Sequence, residues 1–229
     1  MEQQFVDIWS GRLTLAPETL QTLYAILDDS ERQKAQTFKS GLMRDRFIAV
    51  RSLLRQTLAN YLKVQPAGLQ FDIGEYGKPF LACGSLHFNL SHTGDYMLIA
   101  VANFPDIGVD IEKLNQRSSL DAIAKRVFSE GELKLWRQLA PEQQLTGFYR
   151  LWTKKEAFVK AVGRGIALGM ELCEFELEQG GQLIAIPAEY EPVSDWRVTE
   201  LEVFCGLSAA LVAKSRDFTL RQCEIAIRE

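Results

Sequence analysis

Two carboxylates stand two residues apart in the segment 107–112, which reads IGVDIE. The apolar residues around them predict a β-strand, and side chains two apart on a strand point to the same face. Asp110 and Glu112 are therefore expected to lie side by side, with Val109 and Ile111 toward the core. Two oxygen donors on a rigid strand suit Mg²⁺. Taken alone, the pair is equally typical of a strand that ends in exposed acids.

A third acid is combined with a cation on a predicted helix. The segment 151–160 reads LWTKKEAFVK, and Glu156 and Lys160 are four residues apart on one helical face. They could form an ordinary surface ion pair. Alternatively, Glu156 could serve a metal or a proton while Lys160 binds a phosphate.

Two turns carry groups that could bind an anion. Gly77 and Pro79 make a rigid turn that holds Lys78, and a later strand ends in the sequence SHTG. Each could be an ordinary connection. A nucleophilic Ser91–His92 pair is disfavoured, because adjacent residues on a strand point to opposite faces.

The overall charge is mildly acidic, with 26 Lys and Arg against 30 Asp and Glu, a net charge of −4. This balance excludes a protein that coats nucleic acid through its global charge. The charge is uneven, however, because residues 31–55 contain seven basic and two acidic residues. That segment could be a solvated helix face or an anion-binding edge. In the second case, Arg46 would face a phosphate near the start of a long predicted helix.

The order of predicted elements indicates an α+β fold. A strand at 5–9 and helices from Pro17 and at 43–62 precede several short strands. Helices at 120–128, 130–139 and 141–162 then precede strands that extend to residue 227, and Ser129 with Glu132 forms a capping box. The repeated order predicts two similar α+β subdomains, residues 1–106 and 107–229. We expect a pseudo-twofold axis between them and an active site at their junction.

The remaining composition favours a cytoplasmic monomer. The four cysteines are scattered without metal-ligand spacing, and the first residues do not resemble a secretion signal. The longest apolar run, residues 97–102, is far shorter than the ~20 residues of a membrane span. We therefore expect neither a membrane nor a nucleic acid as a partner.

Four motifs in this order resemble the Sfp-type 4′-phosphopantetheinyl transferases of the holo-acyl-carrier-protein synthase superfamily. They are YGKPFL, FNLSHTG, IGVDIE and LWTKKEAFVKAVGRG, with FSEGEL between the last two. The resemblance implies an enzyme that moves the 4′-phosphopantetheine arm of coenzyme A onto a serine of an apo acyl or peptidyl carrier protein. It implies 3′,5′-ADP as the second product.

The resemblance also implies roles for individual residues. Asp110, Glu112 and Glu156 would surround Mg²⁺, or Mn²⁺ as a substitute ion. Glu156 would be the general base, with a metal-bound water as the alternative, and Lys160 would lie beside the leaving diphosphate oxygen. The coenzyme A site would comprise Lys34, Arg46, Lys78, Pro79, Ser91 and His92. Glu31 departs from the family, because a basic residue often stands at that position.

The sequence also allows a hypothesis on where the carrier protein docks, and it leaves two alternative functions open. Because carrier proteins are usually acidic, we hypothesise a docking edge of Lys113, Arg117, Ile123, Arg126 and Phe128. Two other functions would use similar residues: a Mg²⁺-dependent nucleotide pyrophosphatase with water as the nucleophile, and a non-catalytic coenzyme A sensor.

Overall fold

The computed structural model describes residues 3–116 and 119–226 and confirms the α+β class. Its α-helices are α1 (Pro17–Tyr24), α2 (Asp29–Gln36), α3 (Gly41–Leu62), α4 (Leu120–Val127), α5 (Glu130–Gln138) and α6 (Pro141–Val162). Its strands are β1 (Phe5–Arg12), β2 (Phe71–Ile73), β3 (Pro79–Leu81), β4 (His87–Thr93), β5 (Tyr96–Ala102), β6 (Ile107–Lys113), β7 (Glu174–Phe175), β8 (Leu183–Ala185), β9 (Arg197–Glu200), β10 (Leu207–Ala213) and β11 (Thr219–Glu224). None of the helices in these residues has both the length and the apolar character needed to cross a bilayer.

Two sheets form the centre of the molecule, and each is covered by one long helix. The first has the strand order β11-β1-β5-β4 and the second has the order β6-β10-β9. Leu54 and Leu58 of α3 pack with Ile99 of the first sheet, while Phe158 of α6 packs with Val212 of the second. The apolar stripe of each helix therefore covers the outer face of its sheet.

The inner faces of the two sheets share a third core. Ile8 and Ala100 of the first sheet pack in one buried cluster with Val109, Ile111 and Leu211 of the second. The strand alternation predicted at 107–112 is thus confirmed, because Val109 and Ile111 face this core. The result is a four-layer arrangement of helix, sheet, sheet and helix.

Helix α2 was not predicted by the apolar pattern. Its sequence is almost entirely polar, so it has no stripe from which to infer a helix. A capping box starts it instead: Asp28 accepts a bond from the Glu31 amide, and the Glu31 side chain accepts one from the Asp28 amide. The capping box predicted at Ser129 and Glu132 is confirmed as the start of α5.

The last strand leaves the second half of the chain and joins the first sheet. β11 runs parallel to β1, with Phe5 opposite Thr219. The Arg221 guanidinium forms two bonds of 2.6 Å with the buried carboxylate of Asp7 on β1. A buried carboxylate requires such a partner, so this pair supports the crossover. The division at residue 106 and the pseudo-twofold axis remain predictions.

A glycine lets α6 approach the second sheet closely. A Cβ atom at Gly108 of β6 would lie 2.0 Å from the Ala157 carbonyl oxygen and 2.4 Å from the Ala161 amide nitrogen. No side chain fits in that space. The contact brings the face of α6 that carries Glu156 and Lys160 against the strand that carries Asp110.

Candidate active site

Polar side chains of β4 join the two sheets at their edges. Asn89, Ser91 and Thr93 share one face of β4, and their side-chain oxygens accept hydrogen bonds from backbone amides of β6. The bonds are Val109 N to Asn89 Oδ1 (2.9 Å), Ile111 N to Ser91 Oγ (3.4 Å) and Lys113 N to Thr93 Oγ1 (3.4 Å). β6 thus pairs with β10 along one edge and with these side chains, which we call the β4 ladder, along the other.

The β4 ladder also holds the two strand carboxylates. Ser91 Oγ donates to Asp110 Oδ1 at 2.7 Å, and Thr93 Oγ1 donates to Glu112 Oε2 at 3.1 Å. The same spacing of two residues on both strands keeps these pairs in register. Asp110 and Glu112 therefore lie on one side of β6, as predicted.

Lys160 contacts Asp110 directly. Its Nζ atom lies 2.6 Å from Asp110 Oδ1 and 2.9 Å from Ser91 Oγ. Asp110 is 3% exposed, and its other oxygen, Oδ2, is buried without a hydrogen-bond partner. An unpaired buried carboxylate oxygen is costly, so this atom is suited to a further donor or a cation.

Glu156 completes a cluster of acids. Burial and the neighbouring charge of Asp110 raise the pKa of Glu156; Lys160 opposes this shift and Glu112 adds to it. The three acids predicted from the sequence are thus within electrostatic reach of one another. Among the described residues, no set of three or more acidic, His or Cys side chains is already arranged as a metal site.

Two buried lysines fix the helix that carries Glu156. Lys155 forms an ion pair of 2.7 Å with Glu132 and donates to the carbonyl oxygens of Met170 and Cys173. Lys154 forms a 3.0 Å ion pair with Glu200. Both lysine side chains are fully buried. The tandem lysines of the segment 151–160 therefore fix the rotation of α6 about its axis, with Lys154 tied to β9 of the covered sheet and Lys155 tied to the start of α5.

Two of the predicted phosphate ligands lie near the turn between β4 and β5. Arg46 is paired with Asp95 in that turn, with Nη2 2.6 Å from Oδ1. His92 is exposed at the end of β4. Partial burial and the nearby charges of Lys160 and Arg46 lower the pKa of His92, so its ring is mainly neutral at neutral pH.

Two others line a cavity of about 370 Å³ beside α2. Lys34 is exposed there and lies 5.9 Å from the centre of the Phe38 ring, and Pro79 also lines the cavity. Glu31, Arg51 and Phe71 belong to the same lining, with the Arg51 guanidinium 4.9 Å from the centre of the Phe71 ring. A wider cavity, of about 1,020 Å³, is lined by none of the predicted site residues.

Lys78 points in a direction that the sequence did not predict. Its ammonium group donates to two backbone carbonyl oxygens, those of Ile107 at 3.1 Å and Ala161 at 2.8 Å. The rigid turn is present as predicted, but its cation faces protein. The coenzyme A contact expected for this side chain stays a prediction.

Comparison with known proteins identifies the family. The profile of the 4′-phosphopantetheinyl transferase superfamily matches residues 106–218, and that of a 4′-phosphopantetheinyl transferase N-terminal domain matches residues 14–103. The 4′-phosphopantetheinyl transferase HetI of a Nostoc species is 38% identical over 200 residues, which covers 86% of this chain and 82% of the relative. The chain belongs to the 4′-phosphopantetheinyl transferase superfamily.

Two Bacillus subtilis relatives agree with this membership. A 4′-phosphopantetheinyl transferase is 36% identical over 172 residues, or 74% of this chain and 75% of the relative. The 4′-phosphopantetheinyl transferase Sfp of strain 168 is 31% identical over 206 residues, or 89% of each chain. The protein is therefore an enzyme of the 4′-phosphopantetheinyl transferase class.

The docking edge hypothesised for this phosphopantetheinyl transferase needs one correction. Phe128 is 3% exposed and packs against Trp136 and Phe148 in the core, so it is not a surface residue. Ile123 is partly buried against the same core. Lys113 and Arg126 are exposed, as is Lys125 beside them, whereas Arg117 lies outside the described residues.

The residues that sequence reasoning missed are the positioning groups of this transferase. Asn89 was not singled out and Thr93 was considered only within the SHTG turn, although residues 89, 91 and 93 have the period of two that places three polar side chains on one strand face. That signal was available. The pairing of Arg46 with Asp95 had no local signal, because 49 residues separate the partners.

Proposed function

We propose that the protein transfers the 4′-phosphopantetheine arm of coenzyme A to a serine hydroxyl of an apo acyl or peptidyl carrier protein and releases 3′,5′-ADP. Family membership supports the class of reaction. The observation that carries the assignment is the contact of Lys160 with Asp110 beside Glu156, where α6 meets β6. Attack of a hydroxyl on a diphosphate needs charge neutralisation and alignment, which such a cluster can supply.

Mg²⁺, or Mn²⁺ in its place, is part of this proposal. Asp110, Glu112 and Glu156 would hold the ion, because carboxylate oxygens are its preferred ligands. The partnerless buried oxygen of Asp110 and the raised pKa of Glu156 support this fit, since both indicate uncompensated negative charge. When bound, the ion would neutralise charge on the diphosphate.

Glu156 and Lys160 would carry the proton and charge chemistry. The carrier serine must lose its proton as its oxygen attacks, and we assign Glu156 as the acceptor because its carboxylate lies in this cluster with Asp110 and Lys160. A water molecule that relays this proton is the alternative. Lys160 would stabilise the leaving phosphate oxygen, held in place by Asp110 and Ser91.

The coenzyme A site would extend from this cluster to the cavity beside α2. Lys34 and Pro79 line that cavity. Arg46 and His92 lie at the turn between β4 and β5. Arg46 would exchange Asp95 for a phosphate of the ligand. For Lys78 we propose a structural role instead, because its ammonium group donates to the carbonyl oxygens of Ile107 and Ala161.

The cellular setting and the oligomeric state of the enzyme are also part of the proposal. We assign it to the cytoplasm, because all four cysteines are free thiols. We also propose a monomer without a nucleic-acid or membrane partner. One chain supplies both sheets, the β4 ladder and α6, and so contains every group assigned above.

Intact mass of a carrier protein tests the function. After incubation with coenzyme A, Mg²⁺ and an apo carrier, the carrier should gain the mass of one phosphopantetheine group, and a carrier with its serine replaced by alanine should not. Hydrolysis of coenzyme A without this gain would indicate a pyrophosphatase, and unchanged coenzyme A would indicate a sensor. Either result would refute the proposal.

Charge reversal tests the docking edge. Changing Lys113, Arg117 and Arg126 together to Glu should raise the KM for the carrier by about tenfold or more at low salt, because complementary charges accelerate encounter. The KM for coenzyme A should stay the same. Lys134→Glu, an exposed site on α5, is the matched control. An unchanged and salt-independent carrier KM in the triple variant would contradict this docking edge.

A further inference from the structure

The turn between β2 and β3 lies against the turn that ends α6. Arg164, which follows α6, donates to the Tyr76 hydroxyl at 2.7 Å and places its guanidinium 5.1 Å from the Tyr76 ring centre. A Cβ atom at Gly163 would lie 3.3 Å from Cδ of Lys78, so the lysine stem crosses that glycine. The two Gly-containing turns, which belong to different halves of the chain, are thus in direct contact.

Lys78 connects three elements at this contact. It extends from the β2–β3 turn and donates to the carbonyl oxygens of Ile107, the first residue of β6, and Ala161, in the last turn of α6. The last four carbonyls of a helix have no partner within the helix, and a cation near them is favourable. The ammonium group therefore satisfies α6 at its end and ties that end to β6.

The elements that Lys78 joins are those that carry the acids. β6 holds Asp110 and α6 holds Glu156, and their backbones already touch at Gly108. The contact at Gly108 fixes how closely the helix approaches the strand but not how far it can slide along it. The two hydrogen bonds that Lys78 donates, one to β6 and one to α6, restrict that sliding.

We propose that Lys78 is a positioning residue that clamps the end of α6 to β6, rather than a cation that binds a phosphate of coenzyme A. Tyr76 and Arg164 support the clamp from the outer side. Through it, Glu156 and Lys160 keep their register with Asp110. The effect on transfer rests on the proposed function, whereas the clamp itself is a property of the fold.

The state of the lysine is consistent with this role. Burial lowers the pKa of Lys78 to about 8, while the charge of Asp106 opposes that shift. The ammonium form therefore predominates at neutral pH. It donates there to the two carbonyls, which compensate part of its lost hydration.

Lys78→Met separates positioning from ligand binding. If Lys78 positions α6, kcat should fall by roughly 10- to 100-fold, since a misplacement of about 1 Å can cost that much, and the Kd for coenzyme A from calorimetry should stay within about twofold. If Lys78 binds a phosphate, the Kd should rise by about tenfold or more. A raised Kd with unchanged kcat, or no change in either constant, would overturn the proposal. Lys78→Arg, which keeps donors for the carbonyls, should restore part of kcat.

Amide hydrogen exchange gives a readout that does not depend on catalysis. In Lys78→Met, amides in the last turn of α6, residues 159–163, should exchange faster than in the wild type, whereas the start of α6 should be unchanged. Lys134→Met, which removes an exposed lysine from α5, should leave both regions unchanged. Unaltered exchange at 159–163 would refute the clamp. A wild-type protein that transferred nothing would refute the proposed function and leave this test valid.

Tyr76→Phe and Arg164→Gln provide the same test outside the core, at an exposed and a half-buried position. The first removes the hydrogen bond between Tyr76 and Arg164, and the second also removes the bond from Arg164 to Tyr190, so both variants should fold even if Lys78→Met does not. We expect both to lower kcat by a smaller factor than Lys78→Met, with an unchanged Kd for coenzyme A. Wild-type kcat in both, together with wild-type exchange at 159–163, would contradict the clamp.

Discussion

Asp110→Asn should reduce phosphopantetheine transfer by about a thousandfold or more, which corresponds to roughly 4 kcal/mol of transition-state stabilisation. The amide can still accept the hydrogen bond from Ser91, so the local fold should be kept. It cannot provide the negative charge that Lys160 contacts and that a divalent cation requires. The measurement is the rate at which the carrier gains mass at saturating coenzyme A and Mg²⁺.

Asp72→Asn, an exposed change on β2, is the matched control for this loss. The control should keep the wild-type rate, and both variants should keep the wild-type circular dichroism spectrum. Because the charge of Asp110 raises the pKa of Glu156, the Asp110→Asn change should also lower that pKa. A transfer rate within about threefold of the wild-type rate would show that Asp110 has no role in the reaction.

The β4 ladder explains why this part of the chain needs an exact register. A slip of one residue between β4 and β6 would move Asp110 and Glu112 to the opposite face, because side chains alternate along a strand. Three side-chain oxygens, each two residues from the next, prevent that slip by accepting bonds from β6 amides. Two of the same residues then hold the carboxylates. The catalytic acids and the junction of the sheets are therefore parts of one hydrogen-bonded structure.

Long amphipathic helices could be predicted from the sequence almost to the residue. The segment 141–162 coincides with α6, because Pro141 starts it and Gly163 ends it with a positive φ of 71°. The crossover of β11 could not be predicted in this way. A short strand carries no local mark of the sheet it joins, and its partner in β1 lies more than 200 residues away. The decisive pair, Asp7 with Arg221, is a tertiary contact.

The candidate site was predictable where it depends on periodicity. The common face of Asp110 and Glu112, and of Glu156 and Lys160, follows from the periods of strands and helices. The direction of Lys78 does not follow from any period, because a flexible side chain on a turn takes its partners from whichever element packs nearby. Here that element is the end of α6, 83 residues away.

Glu31 is a further case in which a long-range contact decides the role of a residue. Its side chain is 6% exposed and forms 2.6 Å ion pairs with Arg51 and with the fully buried Arg55. Arg55 also bonds Asp28 and the carbonyl of Leu69. The acid that departs from the family pattern is therefore the centre of a buried network between α2 and α3, and it also contributes to the wall of the cavity beside α2.

Glu31→Gln should lower the free energy of unfolding by about 3 kcal/mol, because it removes the buried carboxylate that Arg51 and Arg55 share. Urea denaturation followed by circular dichroism measures this loss. Asp29→Asn is the matched control on the same helix, since its 3.3 Å pair with Arg32 is exposed, and it should cost less than about 1 kcal/mol. Equal losses in the two variants would contradict the buried network.

Glu31→Lys, which introduces the basic residue common in the family, should be more destabilising still, because it places a third cation between Arg51 and Arg55. It should not strengthen coenzyme A binding, since the new ammonium would be repelled from the position that Glu31 occupies. A tighter Kd for coenzyme A together with wild-type stability would show that the network does not depend on this carboxylate. The network around Arg55 predicts the opposite, because α2 and α3 are joined through this carboxylate.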